Sequence, residues 1–436
     1  MRVVELESGQ DVREELTRQT ATNAEAMEVA ARVIAEVKER GDEAVARFTQ
    51  EFDGVELKTF RLSADDIARA TKTVPREVME ALKTAADNIR SFHERQVQQS
   101  WFTTRADGAF LGTRITPLES VGIYVPGGRA QYPSTVLMNA IPAQVAGVRR
   151  IVMVTPPQKS GVINPVTIAA AQLAGISDIV MVGGAQAIAA LAYGTEQIKA
   201  VDKITGPGNA YVAAAKRLVY GDVGIDMIAG PSEVLILADE TADPALVAID
   251  LLAQAEHDPN ASTYLVTFDE DFVDEVIELM EEYLAESPRQ ELTKQSIDDN
   301  CLVLICPDLS TAIQVVNTIA PEHLEVHMDQ PMELLGLIEN AGAVFLGPWT
   351  PESVGDYIAG PNHTLPTGGT ARFASPLSVD DFVKRTNVIS YSAVALQKDS
   401  AKIRAIAGTE GLWAHAKAID LRFEERDFED EAEDGN

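Results

Sequence analysis

The residues best suited to chemistry lie in LLAQAEHDPN, where a glutamine, a glutamate and a histidine occur close together. On a helix, Gln254 and His257 are three positions apart and share one face, whereas Glu256 points elsewhere. An imidazole and an amide oxygen can both ligate a divalent cation, although glutamine is an uncommon ligand for zinc. The spacing therefore leaves two interpretations open, half of a metal site or the ordinary polar end of a helix.

Other histidines stand beside acidic residues or a few positions after them. These combinations are Glu322 with His323, Asp356 with His363, and Glu410 with His415. The chain has no H-E-x-x-H motif, so spacing alone permits a metal site without requiring one. We expect His93, on a charged helix, to be solvent-exposed, and His327 to be structural.

Glycine-rich turns follow several predicted strands and could hold a nucleotide. They are Gly127–Gly128 in YVPGGRA, Gly183–Gly184 in VGGAQA and Gly206–Gly208 in TGPGNA. Glycine lets the backbone approach a ligand closely, and the N-terminus of the following helix can hold an anion. None of the turns matches G-x-G-x-x-G, so tight packing turns are the alternative interpretation.

These residues must be positioned by elements that alternate between strand and helix. One series contains VGIYVPGG, IVMVTPP, DIVMVGG and VDKITGPG, and a second contains EVLILAD, STYLVTFD, CLVLICPD and AVFLGPW. Continuous apolar strands that alternate with helices imply parallel sheets covered on both faces. The fold class is therefore predicted as α/β with two Rossmann-like parallel-sheet domains, preceded by a helical N-terminal segment.

Length and charge restrict the class of protein. A chain of 436 residues is too long for one compact core. Acidic residues outnumber basic ones 67 to 36, giving a formal charge of −31 spread along the chain. This argues against nucleic-acid or anionic-membrane partners, and it is typical of a protein adapted to concentrated salt. Without a long apolar run or a signal-like N-terminus, we expect a cytoplasmic protein.

The two cysteines, Cys301 and Cys306, both occur in the predicted strand CLVLIC. An odd separation places their side chains on opposite faces of a strand, so they cannot readily share a metal or a disulfide. We interpret both as core residues, which leaves no obvious thiol nucleophile.

Taken together with their surroundings, these motifs resemble one family, the histidinol dehydrogenases. The matching segments include YVPGGRAQYPSTVLM, VDKITGPGNAYVAAAKR, IDMIAGPSEVLILAD, DLLAQAEHDP, APEHLEV and VFLGPWTPESVGDYIAGPNHTLPT. They occur in the family's order from about residue 20 to about residue 420. The resemblance implies oxidation of L-histidinol to L-histidine in two NAD-dependent steps, the last of histidine biosynthesis, with one zinc ion per subunit.

The resemblance also assigns roles to particular residues. The implied zinc ligands are Gln254, His257, Asp356 and His415. The implied acid–base pair is Glu322 and His323, with His323 taking the alcohol proton and Glu322 activating water. Ser232 and Glu410 should contact substrate together with the zinc ligands and His323, and His363 is a further candidate. Tyr124, Gln186 and Asn209 should contact NAD, on the glycine-rich turns singled out above.

The family also implies a homodimer in which a C-terminal arm reaches the active site of the partner subunit. The expected divisions are residues 1–22 as the helical N-terminal segment, 23–122 with 232–377 as the first Rossmann-like domain, 123–231 as the second and NAD-binding one, 378–423 as the arm, and 424–436 as a disordered acidic tail. Glu410 and His415 would then serve the other subunit. Two alternatives remain from the residues alone, a zinc hydrolase that uses Glu322 and a non-catalytic protein that binds nucleotides or amino acids.

Overall fold

The structure is a computed structural model that describes residues 1–16, 24–127 and 132–424. Within these residues the strands, numbered in chain order, are β1 (Arg2–Glu5), β2 (Trp101–Thr104), β3 (Phe110–Pro117), β4 (Ser120–Tyr124), β5 (Arg150–Val154), β6 (Asp178–Val180), β7 (Lys203–Thr205), β8 (Gly224–Ile225), β9 (Glu233–Ala238), β10 (Ser262–Thr267), β11 (Cys301–Ile305), β12 (His323–His327), β13 (Ala343–Leu346) and β14 (Val383–Ser390). The helices are α1 (Ala24–Arg40), α2 (Asp42–Asp53), α3 (Ala64–Lys72), α4 (Arg76–Glu94), α5 (Pro133–Ala146), α6 (Pro165–Leu173), α7 (Gly184–Tyr193), α8 (Ala210–Val219), α9 (Pro244–Ala255), α10 (Glu270–Glu286), α11 (Gln290–Asn300), α12 (Leu309–Ile319), α13 (Pro331–Leu334), α14 (Glu352–Tyr357), α15 (Ala393–Thr409) and α16 (Trp413–Asp420). The described chain divides into a larger unit within Met1–Val97 and Pro117–Val383, and a smaller unit within Gln98–Thr116 and Lys384–Asn436.

One sheet of the larger unit contains the first predicted series of strands. Its order is β6-β5-β4-β7-β8, and all neighbouring strands are parallel. The first strand of the series stands in the middle, and the chain continues first to one side and then to the other. This is a Rossmann-like arrangement, in which a crevice opens between the carboxyl ends of the two strands where the order reverses, here β4 and β7.

The second sheet of the larger unit repeats this plan. Its order is β1-β11-β10-β9-β12-β13, again with all strands parallel. The predicted α/β class and its two Rossmann-like sheets are therefore confirmed. Besides β1, the strand β12 (HLEVH) of this sheet was not among those predicted. Leu324 and Val326 pack into the core on one face, while His323, Glu325 and His327 are buried on the other, and these buried polar residues break the continuous apolar run used to identify strands.

The prediction of a helical segment over residues 1–22 is wrong where the structure describes a strand. Arg2–Glu5 form β1, which pairs with Leu302–Ile305 at the edge of the second sheet. The N–H of Leu6 extends this pairing by donating to the carbonyl of Ile305 at 2.9 Å. The backbone partners of β1 lie about three hundred residues away, so local sequence does not reveal them. Residues 17–23 lie outside the described residues.

The N-terminal helices also pack differently from the predicted grouping of residues 23–122 with 232–377. The apolar faces of α1 and α2 share one core cluster with α7 and α8, in which Val33 and Phe48 are buried beside Ile188 and Val212. The helix α4 packs on α5. These helices therefore cover the first sheet, and both parallel sheets belong to the larger unit. Chain order does not specify which apolar face a helix will meet, because that depends on tertiary complementarity.

The cysteines behave as predicted. Cys301 belongs to the core cluster on one face of the second sheet and Cys306 to the cluster on the other face, and both are free thiols. Burial raises the pKa of both thiols, that of Cys306 to about 12. Neither thiol is therefore a nucleophile near neutral pH, because the thiolate is the reactive form.

The smaller unit contains the three-stranded sheet β14-β3-β2 and the helices α15 and α16. Its Arg105 pairs with Asp107 at 2.6 Å, and the hydroxyl of Ser392 donates to the carbonyl of Asp107. The unit includes most of the predicted C-terminal arm, while residues 425–436 of the predicted tail lie outside the described residues. None of the helices described in the two units is both long and apolar enough to cross a bilayer.

Candidate active site

The helix α9 positions Gln254 and His257. Asp243 caps its N-terminus by accepting a hydrogen bond from the N–H of Ala245 at 2.9 Å. Its last turn carries Gln254, which is fully buried, and the N–H of His257 donates to the carbonyl of Gln254 at 3.2 Å just beyond the helix end. Glu256 is exposed. The prediction that Glu256 lies apart from the other two is therefore confirmed.

The predicted acid–base pair lies at the start of β12. This strand runs between β9 and β13, so Glu322 and His323 are buried at the amino-terminal edge of the sheet. The Nδ1 of His323 is 3.2 Å from the carbonyl oxygen of Glu233 and 3.0 Å from the side-chain amide of Gln254. A carbonyl only accepts, so the tautomer that bonds to Glu233 leaves Nε2 unprotonated. That nitrogen is buried without a hydrogen-bond partner among the described residues.

Asp356 and His363 complete the same pocket from the other side. The Oδ1 of Asp356, on α14, is 3.9 Å from Nε2 of His323 and 3.9 Å from Nδ1 of His363. These three residues line a cavity of about 450 Å³ together with the apolar ring of Phe345 and the amide of Asn362. A cavity of this size suits a small polar metabolite.

The structure adds a residue that the sequence analysis missed. Glu352, at the start of α14, is buried with its Oε1 3.9 Å from Nε2 of His257 and 3.7 Å from Nδ1 of His323. The sequence spacing could have pointed to Glu352, because Glu352 and Asp356 are four positions apart and so share one helix face.

The charges of this pocket fit a divalent cation. Glu322, Glu352 and Asp356 lie close together, and none of them pairs with a lysine or arginine in the described part of the chain. His257, Glu352 and Asp356 each offer a ligand atom, and these atoms lie within 4.8 Å of one another. Buried carboxylates need a proton or a cation as compensation, and a nitrogen-and-oxygen donor set is compatible with zinc and several other divalent ions.

Burial sets the protonation of the acid–base pair. It lowers the pKa of His323 to about 4, so this imidazole is neutral near pH 7 and has one ring nitrogen without a hydrogen. Burial also raises the pKa of Glu322 well above its usual range, against the hydrogen bonds from the N–H of Glu233 and from Ser232. A raised pKa brings a carboxyl group closer to the operating pH, where general acid–base catalysis is most efficient.

The predicted residues are divided between the two units. Ser232, which contacts Glu322, belongs to the larger unit, as do three of the four predicted zinc ligands. Glu410, at the end of α15, and His415, on α16, belong to the smaller unit, and both are exposed.

His93 is fully buried, so its predicted exposure is wrong; its Nδ1 lies 2.7 Å from Oε1 of Gln96.

The predicted nucleotide contacts lie at the carboxyl ends of the first sheet. Tyr124 ends β4, and its buried hydroxyl accepts from the N–H of Gly184 at 3.1 Å. Gln186 is fully buried on α7, and neither atom of its amide has a hydrogen-bond partner in the described part of the chain. Asn209 caps α8 through its side-chain oxygen, which leaves its amide nitrogen as the donor. An orphaned buried amide beside the β4–β7 crevice fits the polar groups of a nucleotide.

The turn Gly206–Gly208 is held by close packing and by an ion pair. Gly206 has a φ of +107°, and a Cβ there would lie 2.1 Å from the carbonyl oxygen of Tyr124. The Nζ of Lys216 donates to the carbonyl of Gly206 at 2.9 Å, and the N–H of Gly206 donates to the carboxylate of Asp226 at 2.7 Å. Lys216 and Asp226 also pair with each other, both almost fully buried. Gly128, in the first predicted turn, lies outside the described residues.

Comparison with known proteins gives a consistent result. The family model described as "Histidinol dehydrogenase" matches residues 16–423. The chain is 54% identical to a histidinol dehydrogenase of Halalkalibacterium halodurans over 90% of this chain and 93% of that one. It is 52% identical to that of Heliobacterium mobile over 94% and 96% of the two chains. The crystal structure of histidinol dehydrogenase from Elizabethkingia anophelis superposes with a TM-score of 0.92 at 38% identity, covering 97% of this chain and 98% of that one.

Proposed function

The chain belongs to the histidinol dehydrogenase family, and on that premise we propose that it oxidises L-histidinol to L-histidine in two NAD-dependent steps with a bound zinc ion. The observation that carries this proposal is the placement of His323 between two proposed metal ligands, with its Nδ1 3.0 Å from the amide of Gln254 and its Nε2 3.9 Å from Asp356. A neutral histidine, a metal-type donor set and a cavity for a small polar molecule stand together there. The activity belongs to histidine biosynthesis, and we expect the enzyme to act in the cytoplasm.

The zinc ligands proposed in the larger unit are Gln254, His257 and Asp356, with His415 as the fourth. When bound, zinc would hold the nitrogens of the substrate and so fix its carbinol carbon for hydride transfer, which is catalysis by positioning. Ser232 and His363 of the larger unit, and Glu410 of the smaller unit, are the proposed further contacts to substrate.

The protein's own groups handle the protons of both steps. In the first step the Nε2 of His323 takes the hydroxyl proton as hydride leaves the carbinol carbon, which gives the aldehyde. Glu322 then removes a proton from the water that adds to the aldehyde carbon, while His323 returns its proton to the aldehyde oxygen, which gives the hydrate. His323, now neutral again, accepts a proton as the hydrate loses its hydride. NAD, proposed to contact Tyr124, Gln186 and Asn209, accepts one hydride in each step. No thiol is required, which agrees with the raised pKa values of both cysteines.

A count of reduced cofactor tests this function. Purified protein with a limiting amount of L-histidinol and excess NAD should form two equivalents of NADH for each equivalent of substrate consumed. Formation of one equivalent would leave only the alcohol step. If zinc-loaded protein formed no NADH, the proposal would be contradicted. A zinc hydrolase, which needs the same ligands but no nucleotide, would then be favoured.

We also propose that the enzyme is a homodimer whose active sites are shared. The smaller unit exposes large apolar side chains, including Ile389, Val394, Ile406 and Trp413. Large apolar side chains left exposed on one unit are typical of a surface that binds another protein. The exposure of Glu410 and His415 leaves both free to serve a partner subunit.

Complementation between two inactive variants tests the sharing. His323→Ala and His415→Ala should each be inactive alone, because each removes a part of every site. When subunits are exchanged at random, half of the dimers are mixed and one of their two sites is intact. Activity should therefore return to about one quarter of the wild-type value. If a site were built within one chain, the mixture would stay inactive.

A further inference from the structure

Glu352 contacts the candidate metal site without belonging to the predicted ligand set. In the orientation that satisfies this amide, the nitrogen of Gln254 lies 3.1 Å from Oε2 of Glu352, 3.0 Å from the carbonyl oxygen of Glu233 and 3.0 Å from Nδ1 of His323. Because Nδ1 of His323 carries the hydrogen directed at Glu233, the two hydrogens of the Gln254 nitrogen go to Glu352 and to the carbonyl of Glu233. In the opposite orientation the amide oxygen would face these two acceptors. The nitrogen uses both of its hydrogens there, so the amide presents its oxygen, the atom that binds metals, on the other side.

The same carboxylate stands beside both histidines of the site. Its Oε1 lies 3.9 Å from Nε2 of His257 and 3.7 Å from Nδ1 of His323. Carboxylates in such places commonly orient metal-binding side chains and raise their basicity. One side chain thus touches an amide ligand, an imidazole ligand and the proposed base.

Glu352 is itself held in place from β12. Its N–H donates to Oε1 of Glu325 at 2.7 Å. Glu325 is fully buried, and its Oε2 lies 3.3 Å from Nε2 of His327. The side chain of Asp250 also forms a hydrogen bond with the side chain of Glu325. The position of Glu352 at the start of α14 is therefore also held by a buried side chain of β12.

We propose that Glu352 is a positioning residue that fixes Gln254 and His257 for metal binding without ligating the metal itself. This inference rests on the proposed zinc site. It predicts that removal of the carboxylate weakens zinc binding by about 10- to 100-fold, the usual effect of losing a group that orients ligands. Glu352→Gln should retain most of the affinity, because its amide oxygen can still accept from Gln254.

The measurement is a competition for Zn²⁺ between the full-length protein and a chromophoric chelator. Glu256→Ala is the matched control, since Glu256 neighbours His257 but is exposed, and its affinity should be unchanged. Gln254→Ala should lose at least as much affinity as Glu352→Ala. Visible absorption of the Co²⁺-loaded protein reports the ligand set, and at saturating Co²⁺ the spectrum of Glu352→Gln should match that of the wild type.

The outcomes separate the two levels of the proposal. Zinc affinity of folded Glu352→Ala within twofold of wild type would overturn the positioning role. A changed Co²⁺ spectrum in Glu352→Gln would also overturn it, because Glu352 would then be a ligand. Wild-type protein that binds no zinc would instead contradict the proposed function, and it is recognised before any variant is compared.

Discussion

His323→Ala is expected to lower turnover of L-histidinol by about 10²- to 10⁴-fold, the usual contribution of a general base. The variant removes the buried, neutral imidazole whose Nε2 has no hydrogen-bond partner among the described residues. Zinc content should stay at the wild-type level, because His323 is proposed as a base and not as a ligand. Steady-state NADH formation and metal analysis of the same preparation measure the two quantities.

The controls for this variant lie on the same strand and in the same pocket. His327→Ala makes the same truncation at the far end of β12, away from the cavity, and should lower turnover less, because His327 reaches the site only indirectly, through Glu325 and Glu352. His323→Asn keeps a polar side chain that can bond to the carbonyl of Glu233 but cannot accept the proton, so it should be as inactive as His323→Ala. Loss of zinc from both variants at position 323 would mean that a ligand has been taken for the base.

Lys216→Met is expected to lower the free energy of unfolding by about 3–5 kcal/mol, the typical cost of breaking a buried ion pair. Lys216 and Asp226 are only 2% and 1% exposed. Without the ammonium group the Asp226 carboxylate would stay buried without its cation, and the carbonyl of Gly206 would lose its donor. Urea unfolding followed by circular dichroism measures the loss.

Two further variants isolate the cause of that loss. Lys216→Met combined with Asp226→Asn removes both charges and should recover part of the stability, since no unpaired charge remains. Arg217→Met changes an exposed neighbour on α8 and should stay within about 0.5 kcal/mol of wild type. If the double variant were no more stable than Lys216→Met, charge burial would not be the source of the effect.

The position of the candidate site departs from the usual rule for parallel sheets. Ligands commonly bind at the carboxyl ends of the strands, where the strand order reverses. Tyr124 and Asn209 in the first sheet follow this rule. In the second sheet Glu322 and His323 lie at the amino-terminal edge, where the end of α9 returns with Gln254. A search of the carboxyl edge of that sheet alone would have missed them.

Sequence by itself determined the features that depend on local periodicity and on distinctive motifs. Apolar runs between helices predicted both parallel sheets, the three-residue spacing of Gln254 and His257 predicted their common side, and the odd separation of the cysteines predicted opposite faces. The family resemblance rested on several long, distinctive motifs and was confirmed by the comparisons. These inferences hold because side-chain direction within a helix or strand follows from backbone geometry alone.

Only the tertiary structure decided what lies beside what across the chain. The strand pairing of Arg2–Glu5, the burial of His93 and the contact between Glu352 and Gln254 each depend on residues far away in sequence. The strand β12 was missed because its polar residues are buried only where α9 and α14 bring polar partners to them. A buried polar residue is stable when its partners are supplied by other elements, so its environment cannot be read from its own segment.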